Sequence, residues 1–255
     1  MYYRDENHFK GTNGYVIDDV WYPRVTSIVN IKAKPALYRF YAELEGFAAG
    51  EAIKKKSADE GTRVHETAEA ILVGDQPIVT PDIAPAIEAF RKFIAERSIQ
   101  VDREWVEKRI INFNERYAGT IDALALIDGK FGLMDIKTSQ AIYRDYNLQT
   151  AAYLAPLIDQ FRNLQTRWIL RIDQIQRCLK CGAIRRIKGG REKIRNHFNN
   201  GTKPCIESEH EWSELAGEVE LKEFPYWQDD YQAFLSAKKL WEWENDYWLK
   251  LVGYL

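Results

Sequence analysis

Residues 119–137 read Gly-Thr-Ile-Asp-Ala-Leu-Ala-Leu-Ile-Asp-Gly-Lys-Phe-Gly-Leu-Met-Asp-Ile-Lys, two apolar runs parted by Asp128-Gly129. Asp-Gly between strand-forming runs predicts a β-hairpin with a type I′ turn, because both central positions of that turn need positive φ. The turn fixes the register: with Ile127 facing Lys130, Asp122 falls opposite Asp135. Side chains alternate faces along a strand, so Asp135 and Lys137 point one way and Met134 and Ile136 the other. Two carboxylates opposed across strands, with Cβ atoms about 4.5–5.5 Å apart, destabilise a sheet. A divalent cation removes that penalty, and Mg²⁺ or Mn²⁺ favours such hard oxygens. The competing reading is a surface hairpin with incidental charges.

Upstream, the segment before Val25-Thr26-Ser27-Ile28-Val29 reads as a short strand or irregular lead-in. Residues 35–56 turn helical, with Leu37, Phe40, Tyr41, Leu44 and Phe47 at three- and four-residue spacing. A polar link over 57–61 precedes a second helix over 62–72, with Thr62 as its N-cap. His65 and Glu69 then lie one helical turn apart on a shared face. A further helix is expected over 82–98 and a strand over 105–113, in which Glu107 reads as a solvated residue or as a carboxylate supporting the site. Downstream, residues 145–157 form a helix on which Gln149 and Tyr153 share a face. Strands at 168–173 and 219–224 are expected to pair, with everything between them an enlarged connection. Asp229 or Asp230 is expected to cap a final helix, whose tryptophan-rich end reads as packing or as an aromatic platform for DNA bases.

The 255 residues are 45% hydrophobic and 29% charged, enough for one large domain and without a run long enough to cross a membrane. The N-terminal residues lack the apolar core of a secretory signal, so a cytoplasmic protein of a bacterial or phage-infected cell is expected. A net charge of -2 hides a local imbalance. Lys180, Arg185, Arg186, Lys188, Arg191, Lys193 and Arg195 form a basic stretch, and an acidic run including Glu207, Glu209 and Glu211 follows. Cys178, Cys181 and Cys205 lie in or beside that basic stretch, a clustering that favours metal over disulfide in a cytosolic protein.

Taken in order, Gly61-Thr62-Arg63-Val64-His65, Gly119-Thr120-Ile121-Asp122, Asp135-Ile136-Lys137 and Gln149-Thr150-Ala151-Ala152-Tyr153 resemble the motifs of the PD-(D/E)XK nuclease superfamily. The likeness is to its RecB-like branch, which includes Cas4-like and phage exonucleases. It spans roughly residues 25–172 and, more weakly, the final strand and helix. The resemblance implies an α/β fold in which helices flank a central mixed β-sheet, the restriction-endonuclease-like core. It implies a metal-dependent DNA nuclease, most simply an exonuclease acting on DNA ends in recombination, replication or repair. His65, Asp122, Asp135 and the carbonyl of Ile136 would hold Mg²⁺ or Mn²⁺. Lys137, its proton affinity lowered beside the cations, would orient or deprotonate the attacking water, and Gln149 and Tyr153 would hold the DNA or the nucleophile. Glu69 would support His65 through its second ring nitrogen.

Cas4-like nucleases carry an iron–sulfur cluster with one cysteine far upstream; no cysteine here precedes Cys178, so the cluster is rejected. Cys178-x2-Cys181-x15-His197-x7-Cys205 instead reads as a small zinc-ribbon-like insert, with His210 competing as fourth ligand. Such a closed site is structural, while Arg185, Arg186, Lys188 and Arg191 would clamp phosphates. The expected division is a nuclease core over 1–173, the insert over 174–214, and a strand and helix over 215–255 that complete the core. A nicking or structure-specific endonuclease and a non-catalytic DNA-binding module are the rival functions. A homo-oligomer or a recombination or replication partner protein fits the same reading.

Overall fold

The computed structural model describes residues 3–196, 205–206 and 209–255. Helix α1 (Glu6–Asn13) leads into a small hairpin, β1 (Gly14–Ile17) and β2 (Val20–Pro23), followed by α2 (Val25–Val29), α3 (Pro35–Ala42) and α4 (Phe47–Leu72). After α5 (Ala84–Ala95), strands β3 (Ile99–Asn112), β4 (Tyr117–Ile127) and β5 (Lys130–Lys137) run in succession. Then come α6 (Asp145–Leu154), β6 (Thr166–Arg177), the hairpin β7 (Ile184–Lys188) and β8 (Arg191–Arg195), β9 (Ala216–Glu223), α7 (Gln228–Glu244) and α8 (Asp246–Leu251). Seven strands form one sheet in the order β3-β4-β5-β6-β7-β8, with β9 also paired to β6. The β5–β6 pair is parallel and its neighbours are antiparallel, so the fold is α/β with a mixed sheet.

Apolar side chains fill both faces of this sheet. Phe9, Ile28, Tyr117, Ile121, Leu133, Tyr153, Phe234 and Trp241 form one buried cluster, beneath α1, α2, α6 and α7. Val64, Ala68, Ile87, Phe90, Met134, Ile136, Leu170 and Ile172 form the other, beneath α4 and α5. Each such side chain contributes about 1.5–3 kcal/mol when fully removed from water. Arg167 is buried at the start of β6, where it donates to the carbonyls of Asn147 (2.6 Å), Phe224 (3.2 Å) and Tyr226 (2.8 Å) and pairs with Asp230. One guanidinium thereby joins α6, the end of β9 and α7.

The Asp128-Gly129 turn forms as expected, with φ of 49° and 84°, and sets Ile127 opposite Lys130. The pairing of β6 with β9 likewise matches, Ile172 facing Val219. Val25–Val29 forms a helix, with Val25, Ile28 and Val29 all facing the core at helical spacing. Three local expectations are corrected. The predicted link over 57–61 is helical, and α4 is unbroken from Phe47 to Leu72. Thr62 is therefore interior to a helix and caps nothing; the break falls at Gly46, whose φ is +155°. Asp229 and Asp230 lie in the first turn of α7, whose N-cap is Trp227. Gly61 sits inside α4 because a Cβ there would come within 2.7 Å of Thr138 Oγ1, so glycine lets the helix lie against the end of β5. At the C-terminal end Trp241 is buried and Trp248 packs on Phe9, while Trp243 is exposed.

Candidate active site

The β4–β5 ladder runs from Ile127↔Lys130 to Ala123↔Met134 and stops there. Beyond the last pair Asp122 is released from its partner strand, and its Oδ2 accepts the backbone N–H of Ile136 at 2.6 Å. The direct cross-strand pair expected of Asp122 and Asp135 is therefore not formed, the ladder ending one pair short of it. Asp122 is joined to His65 on α4, with His65 Nε2 2.9 Å from its Oδ2, whereas Asp135 is joined to Gln149 on α6, whose Nε2 donates to Oδ1 at 3.2 Å. Lys137 Nζ stands 2.6 Å from the other Asp135 oxygen. The two form an ion pair in which Asp135 is buried.

Glu69 stands beside His65, its buried Oε1 3.1 Å from His65 Nδ1. Glu107 is the fourth member. The β3–β4 register shifts between Val101 and Val106, and Glu107 has a φ of +50°, a conformation rare outside glycine and asparagine. Glu107 lies just past that shift, between the pairs Val106↔Ala123 and Lys108↔Ile121, beside Asp122. Ligand atoms of His65, Glu69, Glu107 and Asp122 all lie within 4.8 Å of one another. The sequence placed Glu107 on the right strand; the backbone kink that turns it inward has no signal in residue type. Tyr146, whose ring faces Lys137 Nζ at 5.2 Å, was also missed, although it lies one turn before Gln149 on the same helix.

Packed together, these charges move one another. Burial opposes protonation of His65, but Asp122 and Glu69 outweigh it and hold the imidazole up at about 10. Burial and the neighbouring Glu69 push Glu107 up to about 7. Burial likewise lifts Asp135 to about 6 against the pull of Lys137. Burial would favour neutral Lys137, yet Asp135 and Asp122 raise its proton affinity; the lowering expected of it belongs to the site with cations beside it. The protein's own charges make Lys137 a firm ammonium; only added positive charge would reverse that.

Three carboxylates and an imidazole make a hard, electron-rich donor set that fits a divalent cation such as Mg²⁺ or Mn²⁺. The ligand group brings together His65 and Asp122 as expected, with Glu69 and Glu107 in place of Asp135; Asp135 stands next to the group, held by Lys137 and Gln149. Ile136 enters through its N–H on Asp122. Tyr153 is buried, its hydroxyl 3.1 Å from Gln149 Nε2 and its proton affinity well raised by burial and by Asp135 and Asp122. It therefore supports Gln149 and offers no surface to a strand. Gly119 is required beneath it, since a Cβ there would meet the Tyr153 ring at 2.3 Å.

The cluster opens into a cavity of about 490 Å³ lined by Ser57, Gly61, His65, Glu69, Glu107 and Lys137. A larger one of about 810 Å³ shares Ser57, Ala58 and Thr138 with it, and is walled by α3 and by Arg186, Lys188, Arg191 and Lys193 of the β7–β8 hairpin. Arg185 lies on the other side of that hairpin, paired with Glu192 at 2.7 Å. At the hairpin's base Cys178, Cys181, Cys205 and His210 gather, while His197 lies outside the described residues. No helix among the described residues is long and apolar enough to cross a membrane. Compared with models of known protein families and with curated proteins, the chain matches none.

Proposed function

We propose that the protein is a metal-dependent nuclease that hydrolyses DNA phosphodiester bonds from a free end. The observation that carries this reading is the junction of two features. A carboxylate–histidine cluster lies beside the Asp135–Lys137 pair, and its cavity continues into a cleft with four cationic side chains. The resemblance of the four ordered motifs to RecB-like nucleases supports the same chemistry.

Phosphodiester hydrolysis needs a placed nucleophile and positive charge beside the developing phosphorane oxygens. A divalent cation, when bound, would supply that charge and acidify a water. His65, Glu69, Glu107 and Asp122 would hold it, with Asp135 alongside. Lys137, kept charged by Asp135 and Asp122, would orient the nucleophile or a phosphate oxygen, and Gln149 fixes the Asp135 carboxylate. Arg191 and Lys193 would meet backbone phosphates, giving salt-dependent affinity with little sequence information. Walls on both sides of the cleft support a strand entering by its end over an uninterrupted duplex.

End-labelled linear DNA and closed circular DNA, each incubated with Mg²⁺, Mn²⁺ or EDTA, test this. Release of nucleotides from linear DNA only, abolished by EDTA, is expected. Cutting of circles would replace the exonuclease with an endonuclease, and no cutting with either metal would overturn the enzyme.

A further inference from the structure

We propose that Cys178, Cys181, Cys205 and His210 bind one structural zinc ion, and that this centre holds the β7–β8 hairpin in place as a wall of the basic cleft. The metal centre stands independently of the nuclease reading; its consequence for DNA rests on that reading.

The spacing of the ligand atoms carries the proposal. Tetrahedral zinc, with Zn–S of about 2.3 Å and Zn–N of about 2.0–2.1 Å, sets its ligands about 3.8 Å apart between sulfurs and about 3.6 Å apart between sulfur and nitrogen. Cys178 Sγ and Cys205 Sγ are 4.0 Å apart, and Cys181 Sγ and His210 Nδ1 are 3.5 Å apart. A disulfide needs about 2.05 Å, and all three cysteines are free. An iron–sulfur cluster spreads its thiolates farther, since irons and sulfides stand between them. Three thiolates and an imidazole are too soft a set for Mg²⁺ and suit zinc.

The backbone is shaped around those atoms. Cys178 N–H donates to Ala183 O at 2.8 Å and Gly182 N–H to Cys178 O at 2.9 Å, closing a tight knuckle about the first two sulfurs. Leu179 N–H donates to Glu211 O at 2.8 Å, and Cys178 bridges to Trp212, which brings His210 to the knuckle from the far end of the excursion. Trp212 stacks on the His210 ring at 4.6 Å and orients it. Besides the cysteines, Ala183 is the buried residue of this cluster among the described residues, with Ile194 and Trp212 packed partly against it. So small an apolar cluster gives the described residues around the ligands little packing of their own, which a zinc ion would supplement.

From this base the hairpin reaches the catalytic region. Arg186 Nε donates to both Asp173 oxygens at 2.9 and 2.6 Å and Arg186 Nη2 to Thr138 O at 3.0 Å, while Lys188 also donates to Thr138 O. Gly189 N–H donates to Glu60 on α4 at 3.2 Å, and Arg191 pairs with Glu43 at 2.7 Å and lies over Phe40. The hairpin is thus pinned at its tip by α4 and at its base by the four ligands.

Metal analysis of the full chain, by mass spectrometry and by cobalt substitution, tests the centre. About one zinc per chain is expected, replaceable by cobalt with the intense visible bands of a tetrahedral thiolate site. His210→Ala and Cys181→Ser should lose most of it and His197→Ala should keep it. Absence of zinc from protein made with zinc, or zinc loss in His197→Ala, overturns the assignment. Should Cys181→Ser fail to fold, the cobalt spectrum of wild type and the two histidine variants still decide. In an Asp135→Ala background, which cannot cut, His210→Ala should weaken binding of a labelled oligonucleotide by about tenfold or more through lost phosphate contacts. Unchanged binding overturns the role of the centre in the cleft. Zinc content reports on this site whether or not the protein cleaves DNA, so the two readings fail separately.

Discussion

His65, Glu69, Glu107 and Asp122 are supplied by α4, β3 and β4, elements packed into two large apolar clusters. Cys178, Cys181, Cys205 and His210 gather around a small cluster in which, among the described residues, Ala183 is the one buried residue besides cysteines. The first group is hard, acidic and open to a cavity; the second is soft and closed. The difference sets a candidate cation site presented by a large apolar core against a proposed zinc centre that would itself tie its surroundings together.

The strongest way to break that contrast is to remove the chemistry and look for damage to the fold. Asp135→Ala or Lys137→Ala is expected to lower turnover of end-labelled DNA by about 10³-fold or more, with the thermal midpoint and zinc content close to wild type. Turnover near wild type in both variants would refute the assignment. Next in size is Arg167→Met, which removes the buried guanidinium that joins Asp230 and the carbonyls of Asn147, Phe224 and Tyr226. Urea unfolding should register a loss of about 3–5 kcal/mol while zinc stays bound; a loss under about 1 kcal/mol would mean that this junction does not hold α6 and α7 to the sheet. Glu107→Gln sharpens the ligand set. It should raise the Mn²⁺ midpoint of activity about 10–100-fold, and an unmoved midpoint would leave Glu107 as a bystander. Smallest is Thr62→Ala. A helix-interior residue costs less than about 0.5 kcal/mol, whereas an N-cap would cost about 1 kcal/mol, so thermal unfolding distinguishes the two.

What was legible in the sequence was local or periodic. Asp128-Gly129 announced its turn because few residue pairs tolerate positive φ twice, and that turn placed Asp122 and Asp135 at the end of a hairpin. The β6–β9 pairing followed from alternating apolar residues. Residues 57–61 were misread because Ser, Asp and Gly weaken a helix on average, while the packing of Gly61 against Thr138 overrides that tendency. Glu107 depends on a kink and His210 on a chain reversal, and neither leaves a trace in spacing along the chain. The sequence favoured His197 by order alone; proximity selects His210 among the described residues.

Helix α4 has one more consequence. Over 26 residues, about 39 Å of rise, it carries Ser57 and Glu60 against the hairpin tip and then His65 and Glu69 toward Asp122. Because each residue advances a helix by about 100°, the helix acts as an angular gauge between the cleft and the cation ligands. Adding a single residue between Glu60 and His65 would swing both ligands off the sheet while leaving the hairpin contacts in phase. Adding seven, close to two full turns, would restore their direction and displace them along the axis by about 10 Å. The separation of these two pairs of residues is thus fixed in rotation as well as in distance.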